Sequence, residues 1–218
     1  MFWTRSLTLS AQEIVLFIDG PAGKLEALYL EQPDAKGIAL VCHPHPLYAG
    51  TMHNKVVATL QRTARDNGWS TLRFNFRGVG KSEGSYGEGE GEIADAKAAF
   101  EWLQAKNPKQ PIIIMGFSFG SCVAACLAGE LEQQTISIKQ LVMIAPPVER
   151  FNIDGRLPEQ SPLLIIQPEA DEVVDPQTVY DWANSLTIPH KLLTVPECSH
   201  FFHGRLNDLK ELVTPYLQ

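Results

Sequence analysis

No apolar run in the sequence approaches the roughly 18 to 20 residues that a membrane span requires, so no transmembrane helix and no membrane partner are expected. Clusters of Lys and Arg are missing too. With a net charge of −7 the chain offers no basic field to hold phosphates, which argues against a nucleic-acid partner. The four cysteines, Cys42, Cys122, Cys126 and Cys198, are scattered and make no C-x-x-C pair, which argues against zinc or dithiol redox chemistry. They are expected to be reduced and mostly buried. Met1–Ala11 has no basic segment followed by a continuous apolar stretch; no secretory signal is expected, and a cytoplasmic location follows by default. No repeat, linker or low-complexity boundary divides the chain, which reads as one domain over 1–218. A hydrophobic content of 44% suits a domain with a sizeable core.

Two chemical motifs are absent as well. Gly80-Lys81-Ser82 looks like the end of a phosphate-binding loop, yet that loop needs glycine five residues before Gly80, where Asn75 stands. His43 and His45 lie two apart in a Pro-rich loop without a third ligand of matching spacing, so no metal is expected, and no cofactor either. Gly84 to Glu92, acidic and glycine-rich, reads as a flexible solvated loop whose acidic end suits a helix N-terminus.

What is present is alternation. Three β-like runs come first (13–18, 24–30 and 37–42), followed by a helix at 52–67, a strand at 70–75 and a helix at 92–105. Strands at 111–115, 140–145, 162–167 and 190–195 then alternate with helices at 121–131, 176–185 and 203–217, apart from an irregular polar stretch between 145 and 162. Such an order predicts an α/β fold: a mostly parallel sheet covered on both faces, after a small antiparallel start.

Gly116-Phe117-Ser118-Phe119-Gly120 sits between a buried strand and a helix, the pattern of a nucleophile held on a sharp turn. Glycine at 116 and 120 allows close backbone approach. A serine hydroxyl is a weak nucleophile at neutral pH, so Ser118 needs a base and the base an orienting acid. Reacting groups on such sheets gather at the carboxyl ends of the strands. His200, in the loop after the last strand, is the expected base, and His203 is expected to be exposed or capping. Asp171, in the loop after 162–167, is the expected acid; Glu169 and Asp175 are the alternatives, with Asp175 well placed to cap the helix that starts at Pro176. The oxyanion donors are expected to be the N–H of Phe119 and, from the loop after the third strand, that of His45, with Leu47 and Tyr48 also available. Phe117, Phe119, Tyr48, Phe201 and Phe202 suggest an apolar, open pocket.

With these residues the chain resembles the α/β-hydrolase superfamily over nearly its whole length. More narrowly, Cys42 to Pro46, Gly50 to Val57 and Leu72 to Ser82 look like small, lidless bacterial hydrolases related to the dienelactone hydrolase and prolyl-oligopeptidase branches. The resemblance implies a sheet of about eight strands without a lid domain, a serine hydrolase of esters or related acyl bonds, and a largely structural role for Arg77–Ser82. Pro44 departs from the commoner His-Gly start of the oxyanion loop. Ser118 stands where dienelactone hydrolases carry cysteine, which disfavours that activity. The implied partner is a small-molecule acyl substrate, and a homodimer is compatible with the chain. A peptidase or thioesterase would use the same triad, and a binding protein on a retired hydrolase fold would keep the pocket without turnover.

Overall fold

Strands built from unbroken apolar runs need cover on both faces, and here they have it. A computed structural model describes residues 12–151 and 153–218; the expectation for Met1–Ala11 lies outside them. The strands are β1 (Ile14–Gly20), β2 (Gly23–Leu30), β3 (Ile38–Cys42), β4 (Ser70–Phe74), β5 (Ile112–Phe117), β6 (Gln140–Ile144), β7 (Leu163–Pro168) and β8 (His190–Val195). The helices are α1 (Lys55–Asp66), α2 (Glu90–Lys106), α3 (Phe119–Gln133), α4 (Pro176–Ser185) and α5 (Leu206–Val213). All eight strands join one sheet in the order β1-β2-β4-β3-β5-β6-β7-β8. β2 runs antiparallel to both of its neighbours, and every pair from β4 to β8 is parallel.

Every residue of β3, β4, β5, β6 and β7 is buried. Successive side chains serve opposite faces: Ile112 and Ile114 join a core with Phe100 of α2, Val123 of α3 and Val179 of α4, while Ile113, Met115 and Phe117 join one with Val56 of α1 and Leu209 of α5. The connection from β6 to β7 contains no helix or strand among the described residues. Among the described residues, no lid segment is built from it.

Local chemistry sets most boundaries. Asp175 accepts from the N–H of Gln177 and caps α4, with Pro176 in its first turn. Asn54 caps α1, which begins at Lys55 rather than Met52 because the cap fixes the start. α5 begins at Leu206, three residues later than the pattern suggests, and His203 is exposed. The stretch 84–92 is mostly exposed or half-exposed, as a solvated loop would be, but its last residue turns inward. Glu92 is fully buried and its carboxylate accepts from the N–H groups of Gly87 and Gly89, closing the first turn of α2. Arg77–Ser82 is engaged internally: the buried carboxylate of Asp95 accepts from Arg77 at N, Nε and Nη2, and Ser82 Oγ donates to the Asn75 carbonyl. All four cysteines are buried and unpaired.

Candidate active site

The switch in strand order falls between β3 and β5, since the chain leaves β3 for β4 on one side and returns to β5 on the other. At such a point the loops after the two strands diverge and leave a crevice. Ser118 follows β5 there, with φ 52° and ψ −128°, a conformation that non-glycine residues rarely adopt. Its N–H donates to the Ile144 carbonyl at 2.8 Å, and its carbonyl accepts from Ser121 Oγ at 2.6 Å. The flanking glycines have the steric role their spacing suggests. A Cβ on Gly116 would stand 2.1 Å from the Gly120 carbonyl oxygen, and one on Gly120 would stand 2.3 Å from that of His43.

Ser118 Oγ lies 3.1 Å from His200 Nε2, and His200 Nδ1 lies 2.8 Å from Asp171 Oδ2. The imidazole is 2% exposed and the Asp171 side chain is fully buried. Phe117 packs on one face of the His200 ring at 4.9 Å, and Phe201 meets it edge-on at 5.0 Å. Burial works to raise the Asp171 pKa, but the hydrogen bond and charge of His200, with the N–H groups of Val174 and Val173, outweigh it and hold the carboxyl below its usual range. An ionised Asp171 only accepts, so Nδ1 carries the proton and the Nε2 lone pair faces the serine hydroxyl. Of the alternative acids, Glu169 is exposed and Asp175 is occupied in capping α4.

Phe119 is the first residue of α3, where N–H groups have no intrahelical acceptor. His45 belongs to the loop after β3, with its side chain turned to structure: Nδ1 accepts from the N–H of Leu47 and Nε2 meets Tyr86 Oη at 3.2 Å. Neither the Phe119 N–H nor the His45 N–H enters a hydrogen bond among the described residues. Leu47 donates to His45, and the Tyr48 N–H donates to the His45 carbonyl, so both alternatives are engaged. His43 is wholly internal: Nδ1 donates to the Pro44 carbonyl at 2.6 Å and Nε2 accepts from the N–H of Phe76 at 3.0 Å.

The model of the α/β hydrolase fold family matches residues 45–156. An uncharacterized protein of Rickettsia prowazekii is 37% identical over 215 residues, spanning 93% of this chain and 87% of that protein. The crystal structure of a serine hydrolase without a lid from Xanthomonas campestris superposes with a TM-score of 0.87 at 39% identity, covering 100% of this chain and 95% of that one. A serine hydrolase homologue from Coxiella burnetii gives a TM-score of 0.85 at 40% identity, over 94% of this chain and 97% of that one. The chain belongs to the α/β-hydrolase fold family.

On this α/β-hydrolase fold the serine opens into a cleft of about 310 Å³. His45, Tyr48 and Phe119 line it, as do Tyr86, Phe151 and Val173. Its volume is near the small end for ligand sites. A larger hollow, about 420 Å³, lies at the amino ends of β6 and β7 around Ile136 and Pro162, and Ser118 does not line it. Of the aromatics expected around the pocket, Tyr48 and Phe119 reach the cleft, whereas Phe117 and Phe202 are buried in the core and Phe201 packs against the histidine.

Several residues at this site carry no signal in the sequence. Glu172 Oε2 accepts from the backbone N–H of His200, and Gln167 Nε2 donates to Asp171 Oδ2. Tyr86 and Glu88 reach the cleft from the glycine-rich stretch, whose composition reads only as a solvated loop. Among the described residues, no group of three or more His, Cys, Asp or Glu is placed to hold a metal ion.

Proposed function

We propose that the protein is a serine hydrolase that cleaves small carboxylic esters through an acyl-enzyme. The observation that carries this reading is the continuous hydrogen-bonded series Asp171–His200–Ser118, on a strained turn that opens into a cleft. Ser118 Oγ attacks the ester carbonyl carbon while His200 Nε2 takes its proton. The tetrahedral oxyanion is received by the N–H groups of Phe119 and His45, the former at a helix N-terminus whose dipole favours negative charge. Collapse expels the alcohol, protonated by His200; water then attacks the acyl-enzyme with His200 as base, releasing the acid and free Ser118. Asp171 stays ionised throughout and stabilises the imidazolium. The cleft volume favours a compact acyl group over a long chain.

A fluorophosphonate probe is expected to label one site, and Ser118→Ala to lose both the label and ester turnover, the latter by roughly 10⁴-fold or more. Label retained on the alanine variant would refute the assignment. Across short-chain p-nitrophenyl esters, acyl thioesters and aminoacyl amides, kcat/KM should be highest for the esters; a strong preference for amides would overturn the ester reading while leaving the triad.

A further inference from the structure

At the end of β7, Gln167 is a fully buried glutamine. Its Nε2 lies 3.2 Å from Asp171 Oδ2 and 3.2 Å from the Pro168 carbonyl. Both partners only accept, so the amide can be oriented one way alone, nitrogen toward the carboxylate. That orientation leaves Gln167 Oε1 buried without a hydrogen-bond partner among the described residues. An orphaned buried acceptor is destabilising, and an apolar side chain of similar length would fill the same space without that penalty. Of the amide's two contacts, the one to a side chain is with the acid of the series.

We infer that Gln167 is a positioning residue of the hydrolytic site: it fixes the Asp171 carboxylate and, through it, sets how readily His200 takes a proton. This rests on the serine-hydrolase reading above. Asp171 Oδ2 is shared between His200 Nδ1 and Gln167 Nε2, while Oδ1 accepts from Val173 and Val174. The amide dipole offsets part of the negative charge on the oxygen that faces the imidazole. Without it the carboxylate favours the imidazolium more strongly, and the base titrates at higher pH. The groups that face His200 are Asp171 and, at its backbone, Glu172 from the loop after β7, and Ser118 from the turn after β5; Phe117 and Phe201 cover the ring. Gln167 reaches His200 only through Asp171.

The test is the pH profile of kcat/KM on a soluble ester for wild type, Gln167→Met and Gln167→Asn. Methionine fills the site without a donor, and asparagine keeps the amide but is too short to hold the same contact. In both, the acid limb should move up by roughly 0.5–1 pH unit and kcat should fall about tenfold with KM nearly unchanged, since Gln167 does not line the cleft. In an Asp171→Asn background the same changes should add little. Variants that lower the unfolding temperature but leave the acid limb superimposed on wild type would reduce Gln167 to a packing residue and overturn the inference. Labelling of Ser118 by fluorophosphonate, measured on the same variants, separates that outcome from a failure of the hydrolase reading itself.

Discussion

His43 shows how much of the candidate site rests on a residue outside the Asp171–His200–Ser118 series. Burial pushes its pKa down from 6.5 to about 3, opposed by its hydrogen bond to the Pro44 carbonyl and assisted by the charge of His45. The unfolded chain therefore binds a proton at His43 below about pH 6.5 that the folded chain refuses until near pH 3. Stability contributed by the neutral ring is complete above 6.5 and is lost progressively as pH falls through that window. Urea midpoints measured from pH 7 to 4 should fall for the wild type and fall less steeply for His43→Gln; parallel slopes would refute this. Asp171, whose pKa is depressed despite burial, adds a loss of the same sign at lower pH. At this scale the sequence was readable where a residue type has few roles. Ser118 between two glycines and His200 after the last strand are such residues, and Asp171 less so with Glu169, Glu172 and Asp175 close to it in the chain. Gln167 and Glu172 were not readable, because a glutamine or glutamate at a strand end acquires its role only from what folds beside it.

Strand β5, the turn at Ser118 and helix α3 act as one unit, and its tolerance is set by backbone rather than side chains. Gly120→Ala would drive a Cβ into the His43 carbonyl, which belongs to the same loop as His45. Because backbone cannot rotate away as a side chain can, a loss of stability of about 2–4 kcal/mol is expected, with the proposed ester turnover falling further than the loss of folded protein accounts for. Denaturant unfolding and active-site titration on the same sample would check both; a variant of wild-type stability and activity would show that the turn is looser than the geometry implies. Strand and helix positions followed from periodicity, and capping residues set where α4 begins. The burial of Glu92 at the end of 84–92 did not follow. The glycines and carboxylates of that stretch have the composition of a solvated loop, and the two N–H groups that converge on Glu92 help to offset the cost of burying it.

For the molecule as a whole, the decisive feature is the bare connection from β6 to β7. With no lid to open, the proposed activity on a sparingly soluble ester should rise hyperbolically with concentration and show no jump at the solubility limit. A sharp increase once aggregates form would indicate a mobile cover after all.

Taken alone, the sequence determined what depends on neighbours a few residues apart. Glycine spacing permits the turn at Ser118, alternating apolar residues make strands that need two cores, and Asp175 before Pro176 starts a helix. Tertiary structure decided everything that depends on distance in the chain. Ser118 and His200 are 82 residues apart and Asp171 and His200 are 29 apart, and parallel pairing brings their loops to one edge. It also decided which aromatics face the cleft and which are core, and it set Gln167 against Asp171. Side-chain direction and buried hydrogen bonding are settled by packing across the sheet, which no local pattern encodes.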